Sequence, residues 1–272
     1  MSQNTPPTKS MALFCDFENI ALGVRDANYA RFEINEVLER LLVKGNIVVK
    51  KAYCDWDRYK AFKAAMHEAA FELIEIPHVR QSGKNSADIR MVVDALDLCY
   101  TKEHVDSFVI ISGDSDFSPL VSKLRENNKL VIGVGVKNST SDLLIANCDE
   151  FIYYDDLVRD SEKPRRTRRK STAKKANAKK ATSKKKTRVK QSAEKTEEDR
   201  QQAGLDLLLE VVEDLIEERG EQGKVWGSMV KQAIKRRKPG FSERYHGFRS
   251  CGQMLEEAQT RKLLTLQHDE KS

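Results

Sequence analysis

The sequence predicts a doubly wound α/β fold on a parallel sheet, then a basic disordered linker and a small helical, winged-helix-like domain. Between residues 11 and 156, short apolar runs alternate with helical periods, the order typical of a parallel sheet covered on both faces. The composition then shifts to Lys, Arg, Ala, Ser and Thr, and apolar periodicity returns after residue 203. The predicted segments are a disordered N-terminus at 1–10, an α/β domain at 11–158, a linker at 159–200 and a second domain at 201–268.

Six apolar runs have the character of buried parallel strands, which are short and rich in Val, Ile and Phe. They span residues 12–17, 47–54, 71–76, 108–112, 130–136 and 151–154. Helical periods lie between and after them, as in 34–43, where positions 34, 37, 38, 41 and 42 are apolar. The other predicted helices are 58–70, 87–100, 119–127 with Pro in its first turn, 142–146, 203–219, 227–234 and 250–260.

The positive charge of the chain is concentrated in one segment. Residues 163–190 hold 15 of the 48 Lys and Arg residues and no acidic residue, so the remainder has 33 basic and 42 acidic side chains. Residues 1–162 alone carry a net charge of −7. The segment has too few apolar residues to form a core and is expected to be disordered. Its charge favours a nucleic acid partner, which an acidic domain by itself would repel.

The cysteines and the N-terminus point to a soluble intracellular protein. Five cysteines are odd in number and scattered, and most lie in apolar runs, as expected for reduced thiols. No stretch approaches the roughly 18 apolar residues of a membrane span, and the N-terminus lacks a signal-peptide pattern. We expect a cytoplasmic location.

Acidic residues lie where predicted strands end or predicted helices begin, in the segments FCDFENI, KNSADIRMVVDAL and IISGDSDFSPL. If the first and fourth strands are neighbours, Asp16 faces Asp114 and Asp116 across one cleft, and Asp88 arrives at the start of a helix. Hard divalent cations such as Mg²⁺ or Mn²⁺ prefer carboxylate oxygens. The pattern predicts a metal site with these four catalytic acids, supported by Asn19, Asp94, Ser112 and Ser115.

Helix capping is the competing explanation for each acid taken alone, since Asp at strand ends commonly caps a following helix. Taken together, several acids at one sheet edge repel one another unless a cation neutralises them, which favours the metal site. The histidines lie outside these motifs and receive no role. In the loop HVRQSGKNS, Lys84 with Arg80 and Ser82 is a candidate phosphate contact, and a solvated loop explains these residues equally well.

The segments FCDFENI, Lys84-x3-Asp88-x5-Asp94 and SGDSDF resemble, in this order, the motifs of the NYN domain, a PIN-like ribonuclease fold, and its LabA-like bacterial branch in particular. The resemblance covers roughly residues 11–156. It implies a PIN-like fold and an Mg²⁺- or Mn²⁺-dependent endoribonuclease with the acidic residues above in its site. The family often has Gly after its first acid, whereas Phe17 and Glu18 stand here, so the role of Glu18 stays open.

The C-terminal stretch VWGSMVKQAIKRRKPGFSERYHGFRSCGQMLEEAQTRKLLTL resembles the OST-HTH or LOTUS domain. That resemblance implies RNA binding, including structured or G-rich RNA. The candidate contacts are the basic residues Lys231, Lys235, Arg236, Arg237 and Arg249, for which a solvated helix face is the alternative. The aromatic residues of this stretch are expected in the core of the small domain.

Three functions remain open from sequence alone. The leading one is a metal-dependent endoribonuclease that captures RNA through the basic linker and the C-terminal domain, with DNA open as a second substrate. The main alternative is a non-catalytic RNA-binding regulatory adaptor with a degenerate acidic cleft. The third is a phosphatase-like hydrolase of small phosphoesters, against which the basic segment argues.

Overall fold

The chain forms two compact units, the first extending to Glu162 and the second containing the helices beyond it. The computed structural model describes residues 9–76, 86–162, 185–219 and 224–267. No helix within these ranges is long and apolar enough to cross a membrane. Each unit has a hydrophobic core of its own, as expected for separately folding domains.

A six-stranded parallel sheet forms the centre of the first unit. Its strands are β1 (Ser10–Asp16), β2 (Asn46–Cys54), β3 (Glu72–Glu75), β4 (Ser107–Ile111), β5 (Leu130–Gly135) and β6 (Glu150–Tyr153). They lie side by side in the order β3-β2-β1-β4-β5-β6. The chain therefore winds outward from β1 in both directions, and the strand order reverses between β1 and β4. In such sheets ligands bind beyond the carboxyl ends of the strands at this reversal.

Helices cover both faces of the sheet. They are α1 (Phe17–Asp26), α2 (Ile34–Leu42), α3 (Lys60–Glu68), α4 (Ser86–Thr101), α5 (Ser118–Glu126), α6 (Asp142–Asn147) and α7 (Tyr154–Glu162). On one face, α1, α2 and α3 pack against the alternate strand residues Leu13, Val109 and Val134. On the other, α4, α5 and α6 pack against the intervening residues, which include Phe14 and Ile110. Both faces of the sheet are thus buried, which explains the continuous apolar runs of its strands.

The predicted fold class is confirmed, and each predicted strand overlaps an observed one with ends that agree within two residues. The sequence analysis missed α1 and α7. Both helices begin directly at the end of a strand. Because no turn residues separate the strand from the helix, the sequence pattern did not reveal where either helix begins. The predicted neighbourhood of the first and fourth strands is also observed, because β1 pairs in parallel with β4.

The second unit is helical in its described part, with α8 (Lys185–Arg219), α9 (Gly227–Arg237) and α10 (Cys251–Thr260). Its core includes Leu208, Val211, Ile234, Met254 and Ala258. Helix α8 begins well before the predicted residue 203, inside the segment 159–200 for which the sequence predicted disorder. Lys, Arg, Gln and Glu are good helix formers, so a segment without apolar periodicity can still extend an adjoining helix. The predicted N-terminal segment 1–10 lies almost wholly outside the described residues.

Candidate active site at the carboxyl edge of the sheet

Asp16 is the last residue of β1 and the N-cap of α1, and it is only 8% exposed. Its Oδ1 accepts a hydrogen bond from the backbone N–H of Asn19 at 3.3 Å. Its Oδ2 accepts one from the Ser112 hydroxyl at 2.9 Å. Capping and placement at the strand end therefore coincide in one residue, and the carboxylate is fixed in orientation by two donors.

The end of β4 is tied to the end of β1 by polar contacts. Ser112 is fully buried, and its Oγ accepts the backbone N–H of Asp114 at 3.2 Å while it donates to Asp16. The side-chain carbonyl of Asn19 accepts the N–H of Gly113 at 2.9 Å. Gly113 needs to be glycine, because a Cβ there would come within 2.5 Å of the Ser139 carbonyl oxygen. Ser112 and Asn19 thus position the acidic turn, a role that fits the supporting function predicted for both.

Asp114 caps the 3₁₀ turn at Ser115–Phe117, and its Oδ1 accepts the backbone N–H of Asp116 at 3.0 Å. Ser115 and Asp116 lie in this turn, with Asp116 exposed. Asp88 lies in the first turn of α4 and is half-buried. Asp114 therefore caps the turn, as the competing explanation expects, and its charge also contributes to the raised pKa values of Asp16 and Asp88.

Burial and mutual repulsion both raise the pKa values of Asp16 and Asp88. Burial raises the pKa of Asp16 to about 7, and repulsion from Asp88 and Asp114 adds to the shift, against the two hydrogen bonds that lower it. Burial also raises the pKa of Asp88 to about 6, with further repulsion from Asp114, Asp116 and Glu18. Such shifts arise where like charges are held together in a partly desolvated cleft. We call Asp16, Asp88, Asp114 and Asp116 the acid cluster.

Glu18 lies at the rim of the acid cluster, with its side chain 45% exposed. Its carboxylate is 3.9 Å from Arg58 Nη1, and Arg58 also pairs with Asp55 at 3.4 Å. Its charge contributes to the raised pKa of Asp88. Glu18 therefore points to the same side as the acid cluster but is already partnered by a cation.

Asp94 has a different environment from the acid cluster. Tyr53 donates its hydroxyl to Asp94 Oδ2 at 2.9 Å, Arg90 Nε donates to Oδ1 at 3.0 Å, and Lys51 Nζ lies 3.3 Å from Oδ2. These partners join α4 to β2. Six residues separate Asp94 from Asp88, which places the two acids on different sides of the helix. Neither Tyr53 nor Lys51 was identified as a site residue from the sequence. The only signal was the presence of polar groups within the predicted strand 47–54.

The donor chemistry of the acid cluster suits a hard divalent cation, although the residues that the structure describes form no preformed cage. Among the described residues, none of the four carboxylates forms an ion pair, and no three His, Cys, Asp or Glu side chains are grouped closely enough to hold an ion. Their mutual repulsion would be relieved by a cation. A metal that keeps several of its waters needs only one or two carboxylates, as Mg²⁺ usually does.

The predicted nucleic-acid contacts divide into several environments. Lys84, with Arg80 and Ser82, lies outside the described residues. In the second unit, Lys231, Arg236 and Arg249 are exposed, and Lys235 is partly buried. Arg237 is exposed too, but its guanidinium pairs with Asp214 at 2.7 Å and Glu210 at 3.3 Å of α8, which neutralises it. Of the aromatic residues assigned to the core, Phe248 is buried, whereas Trp226 is 44% exposed.

The sequence profile of the NYN domain matches residues 10–155, and the chain belongs to this family. The chain is 26% identical over 160 residues to the meiosis regulator and mRNA stability factor 1 of Xenopus tropicalis, covering 59% of this chain and 9% of that protein. It is 28% identical over 129 residues to an uncharacterized protein of Methanocaldococcus jannaschii, covering 46% of this chain and 50% of that one. The chain thus spans half or less of these relatives.

A solved structure resembles the first unit. It is the crystal structure of a protein of unknown function from Vibrio parahaemolyticus, with a TM-score of 0.50 and 26% identity. The match covers 57% of this chain and 98% of that chain. The similarity therefore takes in nearly all of that chain and little more than half of this one.

Proposed function

We propose that the chain is a metal-dependent endoribonuclease that hydrolyses RNA phosphodiester bonds at the acid cluster. The observation that carries this proposal is the raised pKa of both Asp16 and Asp88 at the strand reversal of an NYN domain. Perturbed carboxylates in a cleft are typical of functional sites. RNA is the favoured polymer because the Xenopus relative is named as an mRNA stability factor, and because the basic segment supplies charge for a polyanion.

In this proposal Asp16, Asp88, Asp114 and Asp116 would hold one or two Mg²⁺ or Mn²⁺ ions. When bound, such ions supply charge stabilisation at the phosphate and lower the pKa of water. The chain itself contributes orientation: Ser112 and the Asn19 N–H fix the Asp16 carboxylate, and the Gly113 turn fixes the backbone of Asp114. Hydrolysis then joins a water oxygen to phosphorus and breaks the phosphorus–oxygen bond to the leaving ribose. No nucleophilic side chain is required.

The second unit is proposed to bind RNA as an OST-HTH or LOTUS domain. The exposed basic residues Lys231, Arg236 and Arg249 support this assignment. Arg237 contributes less, because Asp214 and Glu210 already neutralise its charge. The basic segment would raise the local concentration of RNA near the acid cluster without sequence preference.

A non-catalytic RNA-binding adaptor is the second candidate function. It is favoured by the absence of a preformed metal cage among the described residues and by the name of the Xenopus relative, which is that of a regulator. In this case the acid cluster would be a remnant that retains its charge repulsion but no activity.

Cleavage of labelled RNAs and DNAs in Mg²⁺, Mn²⁺ or EDTA tests the proposal. We expect cleavage that requires the metal and that falls by about two orders of magnitude or more in Asp16→Asn and Asp114→Asn. Asp57→Asn is the matched control, since the Asp57 side chain is 74% exposed and lies outside the acid cluster. RNA binding without cleavage in every metal would favour the adaptor instead. Hydrolysis of a small chromogenic phosphoester without RNA cleavage would favour a phosphatase.

A further inference from the structure

An open pocket of about 730 Å³ adjoins the acid cluster. It lies between α4, the 3₁₀ turn, α5 and α6. Its apolar wall is formed by Ile89, Val92, Val93, Pro119 and Leu143. Its polar lining includes Asp88 and Asp116, so two members of the acid cluster also belong to this pocket. Pockets of this volume are typical of small-ligand sites.

The apolar wall is unusually exposed for a soluble α/β domain. Ile89 is 62% exposed, Val93 55% and Leu143 57%, and all three line the same pocket. Single exposed apolar residues are common on protein surfaces, but a contiguous group that forms a concavity marks a binding surface. The three side chains contribute little to either core of the first unit, so folding alone does not account for them.

Ser118 adds a polar residue to the lining of the pocket. It lines the pocket at the start of α5, is only 6% exposed, and its hydroxyl has no hydrogen-bond partner among the described residues. A buried hydroxyl without a partner costs free energy, and most such groups in folded proteins are paired. The pocket therefore has an apolar wall and two carboxylates, and the Ser118 hydroxyl is buried beneath its surface.

We propose that this pocket receives one unpaired nucleobase of the RNA strand whose phosphate lies at the acid cluster. The inference rests on the proposed function and specifies its substrate as single-stranded at that nucleotide. A base offers an apolar face for the aliphatic wall and amino or imino N–H groups for the carboxylate acceptors of Asp88 and Asp116. Its own phosphate stays at the edge of the pocket, on the side of Asp16 and Asp114, the two members of the acid cluster that do not line it. A paired and stacked base cannot present its edge in this way.

A second copy of the chain is a weaker occupant. An apolar surface docked over this pocket would bury the carboxylates of Asp88 and Asp116, neither of which has a described cation partner. Removing unpaired charges from water is expensive. A single base leaves the outer side of both carboxylates open to water or to a metal ion, so it avoids this cost.

Steady-state cleavage of a short single-stranded RNA by the full chain tests the pocket. We expect Ile89→Ser and Leu143→Ser each to raise KM about 10-fold while kcat stays within about two-fold, because they remove apolar contact with the base. Leu42→Ser is the matched control: Leu42 is 58% exposed and lies in α2. For wild type, an RNA with a single abasic nucleotide next to the cleaved bond should also have a KM about 10-fold higher. For Leu143→Ser the abasic nucleotide should change KM little further, since the contact with the base is already lost.

Photocrosslinking of RNA that contains 4-thiouridine, in EDTA, gives a readout that does not need cleavage. We expect crosslinks within residues 86–101 and 142–147 that Leu143→Ser reduces and Leu42→Ser preserves. Such crosslinks without any cleavage would support the pocket and refute the nuclease. Cleavage with unchanged KM in both wall variants, or an abasic penalty equal in wild type and variant, would refute the pocket. A dimer that Leu143→Ser dissociates in sedimentation would also refute it, in favour of a second copy.

Discussion

Asp16 combines a structural and an electrostatic role that oppose each other. As the N-cap of α1 it stabilises the helix, and as a buried carboxylate near Asp88 and Asp114 it destabilises the fold when ionised. Its pKa rises from 3.8 to about 7. One pKa unit corresponds to about 1.4 kcal/mol, so the penalty of ionisation exceeds the usual value of about 1 kcal/mol for a cap.

We expect Asp16→Asn to stabilise the first unit at pH 8 in EDTA by about 1–3 kcal/mol. The folded protein holds the Asp16 proton more tightly than the unfolded chain, so stability due to this group is full below pH 3.8 and falls as the pH rises to about 7. The gain from Asp16→Asn should therefore be small near pH 4 and reach its full size above pH 7. Asn retains an acceptor for one of the two donors, which limits the loss of capping.

Urea unfolding followed by Trp56 fluorescence measures this effect in the first unit. Trp56 is 1% exposed in the core, and Trp226→Phe removes the second of the two tryptophans. Asp57→Asn serves as the control and should change the free energy of unfolding by no more than a few tenths of a kcal/mol. An Asp16→Asn protein less stable than wild type at pH 8 would show that the cap outweighs the buried charge.

The same repulsion predicts that a divalent cation stabilises the folded protein. With millimolar Mn²⁺ or Mg²⁺, the melting temperature of wild type should rise, because only the folded state gathers the acid cluster. Asp88→Asn should lose most of this rise. Asp97→Asn, on the exposed side of the same helix, should keep it. A melting temperature that does not respond to either metal, measured by scanning fluorimetry against EDTA, would count against a metal site.

At the scale of the element, α4 carries two acids with opposite effects. The ionised form of Asp88 is destabilised by burial and by its acidic neighbours. Asp94 instead binds Arg90 of the same helix and Tyr53 and Lys51 of β2, so it joins the helix to that strand. The helix is therefore anchored to the sheet by one acid and strained electrostatically by the other. The anchoring acid keeps the first turn of α4, and with it Asp88, at the edge of the sheet.

We expect Asp88→Asn to raise and Asp94→Asn to lower the free energy of unfolding at pH 8 in EDTA. The loss for Asp94→Asn should be about 1–3 kcal/mol, the usual cost of removing a charged partner from a hydrogen-bonded network. Tyr53→Phe should lose less, since Arg90 and Lys51 remain. Chemical denaturation of the three variants measures this contrast. If both Asn variants were stabilising, Asp94 would belong to the repulsive cluster after all.

The elements differ in how well the sequence predicts them. Buried strands such as β4 and β5 can be recognised because they consist almost entirely of apolar residues and glycine, and amphipathic helices such as α2 can be recognised by their period. The placement of Asp16, Asp114 and Asp116 at one edge of the sheet was predictable too, because Asp16 ends β1 and the other two follow β4. The Tyr53–Asp94 contact and the pocket were not, since they depend on how α4 lies across the sheet, which local periodicity does not determine.

At the scale of the whole molecule, charge is divided between parts of the chain. Residues 1–162 have a net charge of −7 and contain the acid cluster, while residues 163–190 contain 15 positive charges. A polyanion is repelled by the first part and attracted by the second. The proposed activity therefore needs a separate source of affinity for RNA, which the basic segment and the exposed basic residues of α9 would provide.

Affinity from the basic segment should depend steeply on salt, because each phosphate contact releases a counterion. We expect replacement of Arg165, Arg166, Arg168 and Arg169 by Gln to flatten the slope of log K against log salt concentration by up to about 3 for single-stranded RNA. Affinity should fall at low salt and converge with wild type at high salt. Because the acid cluster is untouched, kcat at saturating RNA should stay unchanged. Fluorescence anisotropy in EDTA gives the slope, and cleavage in Mn²⁺ gives kcat.

The control removes the same charge from the first unit, with Gln in place of Arg25, Lys60, Lys102 and Lys123. Two of these side chains, Arg25 and Lys60, are more than 70% exposed and pair with local acids. Total charge falls equally in both variants, so a slope that depends only on net charge would flatten equally in both. Flattening confined to the variant of residues 165–169 would locate RNA capture in the basic segment. An equal effect in both would mean that phosphates are distributed over the surface of the first unit, against its net negative charge.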